Sequence, residues 1–430
     1  MKIVVIGAGS CSFGLGCVAD VMANDVLSSS TTELVLLDVD GEKVRKMGVL
    51  AERVKAFRKS PVTIRVETDR EKALPGADYV LISVARHRWE LWEQDYRVPV
   101  AHGFRQPYGE NGGPGSLFHA LRSIHLIMPI CRDIERLCPK AFVFNFTNPE
   151  SYVLNAILKL TGLQAIGLCH GQIEARNAIA KYLDLPAAQI DITGGGLNHF
   201  FWLQKIKDRS TGEDLYDKVR AAVNNDEDPA RTLVRKMLNI YGMLTYPKDN
   251  HVGEYVHMAA GDHDRKWHFG RERVPASRRL STDLRASSID KYLDGVHSIE
   301  TASKPTEELA IPMIVAHATN SRTRFLSGIV MNANLAIPNL FPNGVVEVPV
   351  EVDANGIYPS RLDPLPEGIA GFCRTQMTIQ SLLVAAYTEK SRNTFLQAML
   401  LDPFVNSIDE ANALIDEMFD LQSDFLPELH

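Results

Sequence analysis

Along the first third of the chain, short uninterrupted apolar runs alternate with longer stretches in which apolar residues recur every three or four positions. Residues 2–6, 33–37, 77–84 and 141–145 are runs of the first kind. Each reads as a strand covered on both faces, as in a parallel sheet. Residues 62–67 alternate apolar and polar and read as one more strand, while 15–24 and 43–59 carry helical spacing. Strands alternating with helices predict a parallel, doubly wound sheet of the Rossmann type over residues 1–195. Past about residue 200 the pattern changes. Helical stretches at 228–241 and 371–389 dominate, and strand-like runs across 329–352 are broken by Pro338 and Pro342. This predicts a second, mixed α+β domain over 196–430, so the fold class is α/β with two units. The junction near 190–200 reads as tight packing between them, not as a flexible linker.

Composition narrows the class without changing the picture. A chain of 430 residues exceeds one ordinary core. Hydrophobic residues at 45% and charged residues at 23% are ordinary for a globular protein. The net charge of −7 argues against a nucleic-acid or anionic-membrane surface, both of which need clustered Lys and Arg. No run of about 18 uncharged apolar residues is present, so no spanning helix is expected. The opening residues read as a folded strand instead of a signal peptide. The six cysteines, at 11, 17, 131, 138, 169 and 373, form no C-x-x-C pair, which fits a reducing, cytoplasmic setting.

The candidate chemistry begins at Gly7-Ala-Gly9-Ser10. A glycine-rich turn between a first strand and a helix lets phosphates approach backbone N–H groups at the helix N-terminus. Ser12 stands where a third glycine would complete the dinucleotide pattern, so a ligand-free tight turn is the other reading. Asp38 closes the second strand, where a carboxylate accepts from ribose hydroxyls and repels a 2′-phosphate. NAD is therefore favoured over NADP. Three later strand ends are unusually polar: Asn145-Phe-Thr147-Asn148-Pro149-Glu150, Cys169-His170-Gly171 and Asn198-His199-Phe200. Ligands of open α/β sheets gather at such ends. Cys169 and His199 are a soft and a borderline donor for a transition metal. On residue type alone, Cys169 reads more readily as a buried structural cysteine, and His199 reads equally as a hydrogen-bonded core histidine.

Taken in order, these residues resemble glycoside hydrolase family 4, the NAD- and metal-dependent glycosidases. The resemblance also rests on Gly112-Gly-Pro-Gly115, Tyr241-Gly242 followed by Asp249, Val346-Glu347-Val348-Pro349 and Asn355-Gly356, and it spans nearly the whole chain. It implies a lactate/malate dehydrogenase-like architecture, although plain dehydrogenases of that kind lack the Cys-His and Asn-His pairs. It implies an exceptional glycosidase route. NAD takes hydride from C3, a base removes the acidified C2 proton, the aglycone is eliminated, water adds and the hydride returns. Cys169 and His199 match the family's metal ligands, with Mn2+ the usual ion. Gly7, Gly9, Ser10, Asp38 and Asn145 are the expected cofactor contacts. Asp249 matches the C2 base, His170 the position for leaving-group protonation, and Asn148 a contact to the sugar hydroxyls. His251 and Glu254 follow Asp249 in the spacing Asp-x-His-x-x-Glu of the galactosidase and galacturonidase branch; a solvated, ion-paired loop is the plainer reading.

Cys-His in place of the phosphosugar members' pattern, with Trp92 aligned where their phosphate-binding arginine stands, argues against a 6-phosphosugar. Arg86-His87-Arg88 could hold an anionic ring such as a uronide or sulfoquinovoside through paired donors, with Arg88 as the candidate contact, or could simply open a solvated helix. The expected substrate is a non-phosphorylated α-hexoside, neutral or anionic. A homodimer or homotetramer is implied, with no nucleic-acid or membrane partner. Asn332, Asn334, Pro338 and Asn339 could touch substrate or only build turns. Two other classes stay open: an NAD-dependent sugar dehydrogenase or epimerase, and a non-catalytic NAD-binding module.

Overall fold

In a computed structural model, residues 1–29, 31–259 and 289–430 are described. Their strands are β1 (Lys2–Ile6), β2 (Glu33–Leu37), β3 (Thr63–Glu67), β4 (Tyr79–Ile82), β5 (Phe142–Asn145), β6 (Gln164–Gly167), β7 (Ile190–Leu197), β8 (Phe200–Asp208), β9 (Leu244–Thr245), β10 (Thr323–Met331), β11 (Val345–Asp353) and β12 (Gly356–Pro359). All belong to one sheet in the order β3-β2-β1-β4-β5-β6-β10-β11-β7-β8-β9, with β12 on β11. The first six are parallel and follow the Rossmann order. Every pairing from β10 onward is antiparallel. The fold is thus the expected doubly wound α/β half joined to an α+β half.

The expected boundary at 195 falls inside β7, and the sheet runs through it. One row of paired residues crosses the join: Gly167 of β6 faces Ile329 of β10, Ile329 faces Glu347 of β11, and Glu347 faces Gly196 of β7. The two apolar runs of 329–352 are β10 and β11, and Pro338 and Pro342 lie in the connection between them, where no ladder N–H is required.

Strands β4 and β5 are buried throughout. Each fully buried Val, Leu or Ile contributes about 1.5–3 kcal/mol relative to exposure. The helix Gly41–Arg58 starts where Asp40 accepts from the N–H groups of Glu42 and Lys43. The helix Pro114–Leu137 carries Pro129 inside, on its exposed face. The 228–241 stretch divides into a 3-10 turn, Pro229–Arg231, and the helix Thr232–Tyr241. The long late helix is Glu367–Glu389, four residues longer at its start than its periodicity suggests. No helix among the described residues is long and apolar enough to cross a membrane.

Candidate active site

The glycine turn forms because the chain must pass very close to its neighbours. Gly7 has φ +89, and a Cβ there would stand 2.0 Å from the Ser83 carbonyl oxygen. The Gly7 and Ala8 N–H groups donate to the Leu37 carbonyl at 2.9 and 3.1 Å. Gly9 N–H donates to Asp38 Oδ2 at 2.9 Å. Asp38 thus meets the turn at the strand ends and holds the loop. Ser10 Oγ accepts from Phe13 N–H at 3.3 Å and helps start the helix Phe13–Ala23. The third close approach is made by Gly14, not at position 12. A Cβ at Gly14 would sit 2.1 Å from the Ala8 carbonyl oxygen, so helix and glycine turn touch there.

Asn145 ends β5, but its amide is spent on its own turn. Nδ2 donates to the Thr147 carbonyl and to Glu150 Oε1, and Oδ1 accepts from Thr147 N–H. Asn148 is half-buried beside this turn, its carbonyl accepting from Ser123 Oγ at 2.8 Å.

Cys169 and His199 come together. Cys169 lies two residues past β6, and His199 occupies the tight turn between β7 and β8 at φ +61. Cys169 Sγ stands 3.0 Å from His199 Nε2. Burial, and then the nearby Glu347 carboxylate, push the Cys169 thiol well above its ordinary range. Burial and the neighbouring His251 take His199 down to about 3, so the imidazole is neutral near pH 7. Gly171 keeps the floor close: a Cβ there would stand 3.0 Å from the Phe201 ring and 3.1 Å from the Tyr246 ring.

An aromatic wall continues from the pair. The His251 ring centroid lies 4.3 Å from that of His199, Tyr246 lies 5.4 Å from His199, and Tyr108 lies 5.5 Å from His251. Trp92 packs on Tyr108 at 5.0 Å. Tyr246 donates its hydroxyl to Glu174 at 2.9 Å. The loop 109–113 closes against this wall. Glu254 is fully buried and accepts from the Glu110 and Asn111 N–H groups at 2.5 and 2.9 Å. Asp402 holds the same loop by accepting from Gly113 N–H at 3.0 Å. Burial pushes Glu254 up to about 7, with Glu110 adding to it. Glu110 itself is buried, which raises it, but Arg88, His251, His119 and His199 outweigh that and take it down to about 2. Arg88 pairs with Glu110 at 3.2 Å and remains half-exposed.

Two expected site residues are placed differently. Asp249 gives both carboxylate oxygens to the start of the helix Thr232–Tyr241, accepting from Leu233 and Val234 N–H at 2.8 and 2.9 Å. Burial raises it to about 7 despite those bonds. In this arrangement it is a helix cap, and His251 is the member of its motif that reaches the pair. His170 points to the 306–308 segment, pairing with Glu308 at 2.7 Å, and that bond raises its pKa. The late asparagines build turns: Asn332 accepts from Ile337 N–H and donates to its carbonyl, and Asn339 does the same with Leu365. Tyr246, Tyr108, Glu110 and Gly14 were not singled out by sequence. Gly14 and Glu110 do lie within or beside glycine-rich motifs, whereas the aromatic residues are spaced like ordinary core.

Known proteins match over the same extent. A model described as family 4 glycosyl hydrolase matches residues 2–185, and one described as the family 4 glycosyl hydrolase C-terminal domain matches 195–405. An alpha-glucosidase of Erwinia rhapontici is 29% identical, the alignment covering 99% of this chain and 98% of that protein. An alpha-galactosidase of Bacillus subtilis (strain 168) is 28% identical, with 99% of each covered. The crystal structure of a 6-phospho-alpha-glucosidase from gut microorganisms, in complex with NAD and Mn2+, superposes with a TM-score of 0.85 at 20% identity, covering 100% of this chain and 99% of that one. Malate dehydrogenase from Plasmodium falciparum shares the architecture more loosely, with a TM-score of 0.53 at 13% identity over 90% of this chain and 99% of that one.

Proposed function

The chain belongs to glycosyl hydrolase family 4, and on that premise we propose that it cleaves a non-phosphorylated α-hexoside with NAD and a divalent metal, Mn2+ first, as bound cofactors. The observation that carries this reading is the 3.0 Å approach of Cys169 Sγ and His199 Nε2. The donor set fits the metal. A thiolate and a neutral imidazole suit a borderline transition ion. Among the described residues no cluster of three or more His, Cys, Asp or Glu forms a closed cage. A pair of protein ligands leaves coordination positions for substrate and water, as a catalytic site requires. A thiol raised by burial would have to lose its proton to hold the cation, which would couple metal binding to pH and to reducing conditions.

When bound, NAD supplies a reversible hydride acceptor at C3 and the cation supplies positive charge, the chemistry that makes a C2 proton removable so that the aglycone leaves by elimination and water adds. The chain's own residues do the rest. Gly7 and Gly9 let backbone N–H groups approach the pyrophosphate, and Ser10 starts the helix whose N-terminus faces it. Asp38 accepts from the ribose hydroxyls and disfavours a 2′-phosphate. Asn145 shapes the turn that presents Asn148 to the sugar hydroxyls. His251 moves the C2 proton, held by its neighbours Glu254 and Tyr108 against the His199 ring, while Asp249 fixes the segment from behind. His170, whose pairing with Glu308 favours its protonated form, is the proton donor proposed for the departing oxygen. The aromatic wall excludes water from the reacting carbons.

The Arg88–Glu110 pair supports a neutral ring first, since the guanidinium already has a counter-charge. Its half-exposed face favours a uronide or sulfoquinovoside as the second reading. A homodimer or homotetramer and a cytoplasmic setting complete the proposal; sedimentation of the purified chain tests the former. The decisive test is a panel of nitrophenyl α- and β-hexosides, uronides and a sulfoquinovoside, given NAD+, Mn2+ and a thiol reductant. Phenol release that needs all three additions, without net NADH, is expected. Release unaffected by removing NAD and metal would overturn the reading, and net NADH would favour the sugar dehydrogenase.

A further inference from the structure

A buried carboxylate stands behind the Cys169–His199 pair. Glu347 is fully buried in β11, where its neighbours Val345, Val346, Val348, Pro349 and Val350 are apolar and buried too. An acid at that point is costly unless it is partnered. It has two donors. Ser327 Oγ donates to Oε1 at 2.8 Å, and Asn198 Nδ2 donates to Oε2 at 3.2 Å. Asn198 is the residue before His199. Its carbonyl accepts from the Tyr255 hydroxyl at 2.9 Å, and its side chain lies beside Cys169. Asn198 is therefore held at its side chain and its carbonyl, beside Cys169 and directly before His199.

The strand register explains why the acid sits there. Glu347 occupies the row Gly167–Ile329–Glu347–Gly196 that crosses the join of the sheet. Cys169 follows Gly167 by two residues, and Asn198 follows Gly196 by two. Three strand spacings of about 4.8 Å separate the ends of that row, so both loops must curl inward over Glu347 to meet. His199 makes that turn in the left-handed region, which a side chain of its size seldom adopts without support.

We propose that Glu347 is a positioning residue: through Asn198 it sets His199 and Cys169 face to face before a divalent cation arrives. The inference rests on reading that pair as a metal site. It goes beyond it by assigning the support to one acid on the far half of the sheet. Carboxylates that orient metal ligands from behind commonly change metal affinity by about 10–100-fold when altered.

The test uses the full-length chain and the metal alone. Mn2+ affinity is read by electron paramagnetic resonance of the free ion, and Co2+ binding by its thiolate charge-transfer band. Glu347→Gln keeps the shape but removes the charge and one of the two acceptor oxygens that Ser327 and Asn198 share. It is expected to weaken Mn2+ binding by about 10–100-fold and to shift the Co2+ band. NAD affinity and the thermal midpoint should stay near wild type. Ser327→Ala removes the donor that does not lead to the pair, and should change Mn2+ affinity less than about threefold, well short of that range. Unchanged binding and an unchanged band in Glu347→Gln, or an equal loss in Ser327→Ala, would overturn the proposal. Should Glu347→Gln not fold, Asn198→Ala decides the same question by cutting the link with the acid left in place. A wild-type chain that takes up neither ion would instead sink the metal reading itself.

Discussion

In the parallel half of the sheet, the residues proposed to face ligands follow their strands directly. Gly7 comes right after β1, Asp38 right after β2, and Cys169 two residues after β6. Parallel strands all deliver their carboxyl ends to one side, so topology alone gathers these residues. In the antiparallel half, neighbouring strands run opposite ways and only register decides what meets what. His199 reaches the site from a two-residue turn between Leu197 and Phe200, in a left-handed conformation that costs on the order of 1–3 kcal/mol. His251 reaches it from a short helix held by buried acids. The cofactor end is thus set by local sequence, and the chemical end by long-range support.

The sharpest separation of the two ends is Cys169→Ala. Loss of several kcal/mol of metal stabilisation predicts turnover reduced about a thousandfold. NAD affinity, measured by fluorescence titration, should change less than about twofold, under half a kcal/mol. Loss of NAD binding instead would merge the two ends into one. Gly14→Ala is the converse change. Its Cβ would press on the Ala8 carbonyl at 2.1 Å. NAD affinity should fall about tenfold, roughly 1.4 kcal/mol, while Mn2+ affinity at Cys169 stays level.

Asp249→Asn against His251→Gln tests which member of the motif moves the proton. As a cap, Asp249 stabilises its helix by about 0.5–2 kcal/mol. Asp249→Asn should therefore lower the denaturation midpoint modestly and keep exchange of the C2 proton with deuterated solvent. His251→Gln should suppress that exchange about a hundredfold at nearly unchanged stability. Exchange lost in Asp249→Asn alone would return the base to Asp249.

The smallest effect concerns pH. Glu254 and Asp402, which clasp the 109–113 loop, are both pushed up to about 7 by burial. Their folded values lie above the unfolded ones, so the folded state holds more protons between about pH 4 and 7. Stability from these two acids is complete below that window and is lost as pH rises through it. The thermal midpoint should be higher at pH 5.5 than at pH 8, and Asp402→Asn should flatten the difference. A midpoint that rises with pH would contradict the burial of these carboxyls.

Sequence carried the parallel half well because its signals are short-range. The apolar runs, Gly7, Gly9 and Asp38 lie within a few tens of residues of one another, and β1, β2, β4 and β5 fall inside their predicted runs. Cys169 and His199 were nameable as donors, but their 3.0 Å approach depends on β10 and β11 entering between β6 and β7, some 130 residues later in the chain. The bonds of Asp249 to a helix start were not legible, because a carboxylate looks the same whether it faces a ligand or a helix end. Its partners, Leu233 and Val234, lie 16 and 15 residues earlier, which no motif records. Tyr108, Trp92 and Tyr246 look like core until folded, when they become the wall. Glu347 did leave a trace: it is the one acid in the buried valine run 345–350.

The row that crosses the join bears on how such a chain could be recombined. A cut at 195 leaves Gly167 and Cys169 on one piece, and Gly196, His199, Ile329 and Glu347 on the other. A chimera that grafts a foreign nucleotide-binding half would have to match the surface of β6 against β10 as well as the cofactor. Exchange at the sequence boundary therefore carries a hidden compatibility requirement, and variation in substrate preference is most freely made in the loops, where no strand of the shared sheet is disturbed.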